Sequence, residues 1–440
     1  MKFPSFCVLL ASFVVSSCGL LAQEPPTDWI DPDTGHRIVR LSREAGSGSL
    51  YFHQNGYTPE GDKLIITSPS GISVVDLKTL SITPVVQGKV WLLFTGRKTR
   101  SIYYTPAPSR EAMMKADGMP PETVIYVANI DTRETRELIR MKGAQVSSIN
   151  ADETLLLCSR SEKIPNLAPG KEGGEARFGQ PGYEAKGPDG KPLTFAESKE
   201  VMLYNRLEAR IPMEIFTVNI KTGESKVIHK ATDWLNHLQF SPTDPNLIMF
   251  CHEGPWHRVD RIWTIRTDGT GLTKIHTRTM NMEIAGHEFF SADGKTIWYD
   301  LQTPRGEDFW VGGYELATGR RTWYHLQRDE WSVHFNVSPD GKLFAGDGGD
   351  SEMVAHAKDG KWIYLFRPEG IPDVAGIHAE GSESLIVPGY FKSERLVNMS
   401  KHDYRLEPNI TFTPDMKWLV FRSNMHGVNH VYAVEIAKSK

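Results

Sequence analysis

The chain has 440 residues, 40% hydrophobic and 24% charged, an ordinary globular composition with enough length for a large core. Lys+Arg total 50 and Asp+Glu total 54, so the net charge is −4. That balance offers no global attraction for nucleic acid or for an anionic membrane surface.

The first residues read as a targeting segment. Lys2 is the only charge before the apolar run from Phe3 to Val15, which is too short to span a bilayer and has the length of a signal core. Two processing readings stand. Val15-Ser16-Ser17-Cys18 fits a lipoprotein site with Cys18 lipidated, which would anchor the mature chain to the outer membrane. Cleavage after Ala22 would release it into the periplasm, although Leu20 is a poor small-residue match there. The expectation is an exported chain with a leader over 1–22 and membrane contact only through that anchor.

The body that follows repeats. A short strand enters a Ser/Thr-Pro-x-Gly-type turn, a β-rich run follows, and a later strand ends in Asp/Thr-Gly. The turns stand at Thr58-Pro59-Glu60-Gly61, Phe94-Thr95 (degenerate), Asn150-Ala151-Asp152, Ser241-Pro242, Ser291-Ala292-Asp293-Gly294, Ser338-Pro339-Asp340-Gly341 and Thr413-Pro414-Asp415. Repeats of this size with β-branched and aromatic runs between Pro/Gly turns predict an all-β fold, a seven-bladed β-propeller over 28–440. The orphan segment His36-Arg37-Ile38-Val39-Arg40-Leu41 would supply the outer strand of the last blade and close the ring, removing exposed sheet edges.

One insertion, at about 162–210, breaks the rhythm of the third repeat. Its first half is rich in Gly and Pro and reads as loop; its second half, Thr194 to Glu208, predicts a short helix. Two roles compete for it, a cover over a cleft and a surface excursion. Cys158 and Cys251 close apolar strand runs and read as buried free thiols.

Aligning the repeats on the turn Ser/Thr exposes a register. Four residues earlier stand His237, His287, His334 and Asn409, and the first repeat places Gln54 there beside His53. Equivalent positions in radial repeats lie at equivalent heights, so imidazoles from different repeats should converge near the axis. Glycine-elbow serine, phosphate-loop and Cys/His zinc patterns are all missing from the sequence.

Three stretches carry a family resemblance. Cys251-His252-Glu253-Gly254-Pro255-Trp256-His257 with Val259-Asp260-Arg261, Gly286-His287-Glu288-Phe289-Phe290, and His334 with Gly346-Asp347-Gly348-Gly349-Asp350 resemble the motifs of the oligogalacturonate lyases. The likeness runs from about His36 to Val434 and is most specific in the fourth to sixth repeats. It implies a seven-bladed propeller that cleaves 4-linked uronate oligosaccharides by β-elimination, with an acidic oligosaccharide as partner and a divalent metal as cofactor. By motif position it implies His287 as catalytic base, Arg261 as catalytic arginine and His334 as a metal ligand. His53, His237 and His252 would line the substrate pocket.

The chain departs from the family in its last repeat. The family's Gln-x-x-His-Pro-His becomes Tyr404-Arg405-Leu406-Glu407-Pro408-Asn409. Glu407 and Asn409 are oxygen ligands that suit Mn²⁺ or Ca²⁺ better than Zn²⁺, and His402 would add a nitrogen. Three outcomes stay open: a retuned metal site, a lost one, or direct capture of the substrate carboxylate by Tyr404 and Arg405. The alternatives to an oligogalacturonide lyase are a lyase for a glucuronate-bearing glycan and a non-catalytic propeller that binds a glycan or protein.

Overall fold

Runs of Val, Ile, Leu, Tyr and Trp between the repeat turns form antiparallel sheets along the whole chain, because branched and aromatic side chains pack well on a pleated surface. A computed structural model describes residues 24–108, 122–162, 189–349, 361–376 and 378–438. The expected leader with Cys18, residues 163–188 of the insertion, and Asp350 lie outside the described residues.

The sheets follow one another in chain order. A three-stranded sheet runs from Lys63–Ser68 to Ile82–Gln87, and four-stranded sheets begin at Val90–Thr95, Gln145–Ile149 and Trp234–Phe240. The next eight strands form one sheet. Within it, Ile284–Phe290 to Arg321–Leu326 and Asn336–Val337 to Val387–Asn398 are each antiparallel, and a parallel pairing of Arg321–Leu326 with Val387–Asn398 joins them. The last sheet unites both chain ends. Arg37–Arg40 pairs with His430–Glu435, setting Ile38 opposite Val434 and Val39 opposite Ala433. A further strand, Asp28–Ile30, lies outside it, where the sequence reading placed only one strand.

The core is a chain of clusters, each between two successive units. Ile65 and Val74 meet Ile102 and Tyr104; Phe94 and Ile125 meet Leu156 and Phe216; Ile215 meets Leu235 and Phe250. Met249 and Ile262 meet Ile297 and Tyr299; Phe289 and Phe309 meet Phe335 and Phe344; Ile363 and Leu396 meet Leu419 and Tyr432. The last link returns to the start, where Val39, Val420 and Val431 pack on Leu64, Ile66 and Val75. Cys158 and Cys251 are buried free thiols in these layers, as their positions imply.

The repeat turns are structural. The Ser338 hydroxyl accepts from Leu343 N–H at 2.9 Å and donates to Asp340 at 2.7 Å, and Ser291 and Thr413 do the same in their turns. Gly341 follows at φ +72, in the left-handed region that favours glycine.

Helix α1, Phe195–Ala209, fulfils the helical reading of the insertion. Its start is fixed by a capping box: Thr194 Oγ1 accepts from Glu197 N–H at 3.3 Å, and the Glu197 carboxylate accepts from Thr194 N–H at 2.8 Å. Leu203 and Leu207 bury its inner face. Outer contacts latch it to the body: Glu200 pairs with Arg305, Glu208 with Arg258 at 3.2 Å, and Arg206 lies 4.3 Å over the Trp234 ring.

Ile38 is wholly buried among Leu396, Leu419, Tyr432 and Val434. Ile38→Ala should lower the unfolding free energy by about 2–5 kcal/mol in a urea titration. A loss under about 1 kcal/mol would mean that the N-terminal strand stands outside the cooperative core.

Candidate active site

The histidine register has a backbone signature. His237, His287, His334 and Asn409 have φ values of 48, 48, 46 and 52, a left-handed conformation that side-chain-bearing residues rarely adopt. Two lie inside strands whose pairing slips there, between Asn236 and Gln239 and between Gly286 and Phe289. The other two stand just before the short strands Asn336–Val337 and Thr411–Phe412. A bulge of this kind breaks the alternation of the strand and re-aims one side chain.

Three of the re-aimed side chains are imidazoles, and each is held by a carboxylate. His287 Nδ1 lies 2.9 Å from Asp300 Oδ2, and His334 Nδ1 lies 2.8 Å from Asp347 Oδ2. Both carboxylates fall thirteen residues after their histidine, Asp300 on the neighbouring strand and Asp347 just past the end of it. Gly286 makes room for one of them, since a Cβ there would stand 2.9 Å from Asp300 Oδ1. The two rings meet edge to face at 4.7 Å between centroids. With each Nδ1 tied to its carboxylate, both Nε2 atoms have no hydrogen-bond partner among the described residues.

His334 is fully buried. Burial would lower its pKa, but the Asp347 carboxylate outweighs that and holds it above the ordinary imidazole value. Asp300 is buried too, and the His287 ring beside it keeps its carboxyl low in spite of that burial. Phe52 walls the pair, 5.1 Å from His334 and 6.3 Å from His287. Its backbone is clamped by Asn409, whose Oδ1 accepts from Phe52 N–H, and by Asn336, whose amide donates to the Phe52 carbonyl.

The third imidazole belongs to a buried charge chain. His237 Nε2 lies 3.2 Å from Glu253 Oε2, Arg261 donates to Glu253 Oε1 at 3.1 Å, and Arg261 Nε donates to Glu288 Oε2 at 2.9 Å. Arg261 therefore does not pair with Asp260 at the surface; Lys274 and Arg278 hold that residue. The expectation that Arg261 meets developing charge on a sugar is revised. Its side chain is 5% exposed and two of its donors are committed to the buried carboxylates of Glu253 and Glu288.

Several expected site residues serve the fold instead. His252 sits next to Glu253 on a strand and so faces the other way; its Nδ1 pairs with Asp233 at 2.9 Å and its ring packs on Phe250 and Trp263. Both nitrogens of His402 are engaged, with Ser423 Oγ at 2.9 Å and the Leu406 carbonyl at 2.7 Å, and burial pushes its pKa down to about 4. His402 is therefore no metal ligand. Neither is Asn409, whose amide is spent on the Phe52 and Glu407 backbone. Tyr404 is buried and its hydroxyl donates to the Asp347 carbonyl at 2.9 Å, so it cannot greet a substrate. Arg405 is on the surface, paired with Asp403. His53 lies behind the site, against Phe52, Tyr51 and His237, with its pKa lowered to about 3 by burial and by His237.

Glu407 does reach the pocket. Its carboxylate is 3.8 Å from His334 Nε2 and faces His287, Lys199 of α1 and Arg422 as well. His334 holds it below the usual carboxylate range against the effect of burial. A small pocket of about 60 Å³ opens beside His287, bounded by Trp256, Asp300, Gln302 and Arg305. A much larger cavity, about 410 Å³, lies toward the repeat turns and is lined by Phe52, His53, Gln239 and the turn prolines. Of the two, only the smaller pocket is lined by a bonded His–carboxylate pair, His287 with Asp300.

Two places offer metal-ligand atoms. His237, Cys251 and Glu253 lie within 4.8 Å of one another. Arg261 already neutralises Glu253, and burial pushes the Cys251 thiol well up, so a cation there would face a buried guanidinium. His334 Nε2, buried and unpartnered, with the partly open Glu407 carboxylate, suits a divalent ion better. Asp300, Lys199 and Arg422 were missed in the sequence, and Glu288 and Asp347 stood in the motifs without a role; the thirteen-residue step from each histidine would have found Asp300 and Asp347.

A family model described as oligogalacturonate lyase matches residues 180–440. An oligogalacturonate lyase from Dickeya dadantii is 24% identical over 425 residues, covering 93% of this chain and 95% of that protein. An oligogalacturonide lyase from Pectobacterium atrosepticum is 25% identical over 433 residues, with the same shares. Among solved structures, an oligogalacturonate lyase in complex with manganese superposes with a TM-score of 0.67 at 21% identity, covering 93% of this chain and 96% of that one. An oligogalacturonate lyase from Vibrio parahaemolyticus gives 0.66 at 20%, with the same coverage.

Arg261→Ala would leave Glu253 and Glu288 buried without their cation, and should cost about 3–5 kcal/mol of stability by chemical denaturation. A loss under about 1 kcal/mol would instead fit a solvated surface pair. His402 gives a pH signature. Its folded pKa of about 4 lies below the ordinary 6.5, so the unfolded chain binds more protons in between. Its contribution is whole above that window and is lost as pH falls through it. His402→Gln should flatten the melting temperature against pH there; parallel curves would contradict the assignment.

Proposed function

The chain belongs to the oligogalacturonate lyase family, and from that premise we propose that it cleaves 4-linked uronate oligosaccharides, oligogalacturonides first among them, by β-elimination. The observation that carries the reading is the facing pair His287 and His334, each with Nδ1 tied to its own carboxylate and Nε2 left for a ligand.

His287 is the base. Asp300 fixes its tautomer, so Nε2 is the atom that takes the C5 proton of the uronate. The electrons of the C5–H bond form the C4–C5 double bond as the C4–O bond breaks, and a proton returns to the leaving oxygen. The C5 proton is weakly acidic because the adjacent carboxylate is already negative, so that carboxylate must be neutralised. A divalent cation held by His334 and Glu407 would supply that neutralisation. A manganese-bound relative supports such a cofactor. The His237–Glu253–Arg261–Glu288 chain positions the wall beside this pair, and α1 covers the site with Lys199 toward Glu253 and Glu407.

The fold reading extends this. We infer a single seven-bladed propeller over 28–440 closed by the N-terminal strand. The cyclic order of core clusters and the pairing of Ile38 with Val434 support it. The leader pattern at 1–22 supports export, so the substrate would be met outside the cytoplasm.

His287→Ala should lower turnover of oligogalacturonides by roughly 10²–10⁴-fold, followed by the ultraviolet absorbance of the unsaturated product. Asp300→Asn should lower it less while leaving substrate affinity near that of the parent chain. Unimpaired turnover in His287→Ala would remove the assigned base. Binding without unsaturated product, from galacturonate and glucuronate glycans alike, would move the chain to a glycan-binding role.

A further inference from the structure

The family's imidazole in the last repeat is Asn409 here. In the fifth and sixth units the residue thirteen places after the register histidine is the acid that orients it, Asp300 and Asp347. The same step from Asn409 reaches Arg422, on the strand Trp418–Ser423. Where the fifth and sixth units carry His and Asp at this step, the last carries Asn409 and Arg422, so the group at the acid's position is positive.

Arg422 is held but not consumed. Its Nε donates to the Glu407 carbonyl at 2.7 Å, which sets the plane of the guanidinium. Among the described residues no hydrogen bond or ion pair joins its terminal nitrogens to a side chain, and neither of them is a sealed, orphaned atom. The charges it senses are those of Glu407, Tyr51 and Asp347, which border the His334 pocket. Burial lowers its pKa, as expected of a cation with no bonded carboxylate. Arg405, the arginine that the motif itself offers, is tied to Asp403 on the surface. Glu407 is the natural oxygen ligand for a cation beside His334, which leaves Arg422 as the positive group free for a sugar acid.

We propose that Arg422 is a carboxylate-binding residue, whose terminal N–H groups grip a uronate carboxylate beside Glu407 and the His287–His334 pair. A planar guanidinium matches a carboxylate with two parallel hydrogen bonds, and a partly desolvated site strengthens both. The assignment rests on the uronate reading above. It makes substrate recognition less dependent on the cation than a site built from imidazoles alone.

Calorimetric binding of trigalacturonate tests it, in the full chain carrying His287→Ala so that the sugar is not consumed. The fully methyl-esterified trimer serves as the uncharged control. Arg422→Gln should weaken the acid roughly 10–100-fold, the worth of a charged hydrogen-bonded pair, and change the ester by less than about threefold. Arg422→Lys should recover part of the loss on the acid. A purely structural role would weaken acid and ester alike, and that result overturns the proposal, as does a loss on the acid below about threefold. If Arg422→Gln does not fold, the acid-to-ester ratio of Arg422→Lys decides in the same way. Turnover by the unsubstituted chain is followed separately: no unsaturated product sinks the lyase reading, while the acid-to-ester ratio still judges Arg422.

Discussion

The site depends on one backbone constraint. At the same height in four repeats, a residue other than glycine is held at positive φ, where Cβ crowds the neighbouring carbonyl. Each such residue costs on the order of 1 kcal/mol or more and persists only where its surroundings over-determine it. Here those surroundings are the pinned strands on either side and a carboxylate or backbone group that captures the side chain. Without the bulge, strand alternation would turn these side chains into the hydrophobic layers between sheets. With it, groups far apart in sequence share one small pocket.

Electrostatics then divides the labour. His287 and His334 each have a private acid, so their tautomers are set independently although their rings touch. His237 has a shared one, because Glu253 also balances Arg261, which in turn balances Glu288. The first arrangement leaves ring nitrogens free to work on a ligand. The second is closed on itself and stiffens the wall. That difference explains why the His237–Cys251–Glu253 group, though metal-like in spacing, is a weaker home for a cation than His334 with Glu407.

Much of this was legible in the sequence. The Ser/Thr-x-Asp turns mark the fifth, sixth and seventh units because their hydroxyl and carboxylate caps need those residues. The histidine register was legible because its offset from the turn is constant. What failed was reading side-chain direction from proximity in sequence. His252 and Glu253 are neighbours on one strand and must face opposite sides, so both could not enter one pocket. Residues 403–410 form no strand, and nothing in their order told that Tyr404 and His402 turn inward to tie the loop to Asp347, Ser423 and Leu406 while Arg405 turns out. Arg422 was hidden because Trp418-Leu419-Val420-Phe421 reads as a core strand, and a cation at its end passes for an edge residue. The sixth unit has two long arms, Trp362–Gly370 and Val387–Asn398.

Those arms have a mechanical meaning. Elsewhere adjacent units touch through side chains, which slide and repack under thermal agitation. Between the fifth and sixth, the parallel pairing of Arg321–Leu326 with Val387–Asn398 adds a seam of amide bonds at the outer rim. His287 belongs to one of these units and His334 to the other. The seam ties the unit that carries His287 to the unit that carries His334 through backbone hydrogen bonds as well as side-chain packing.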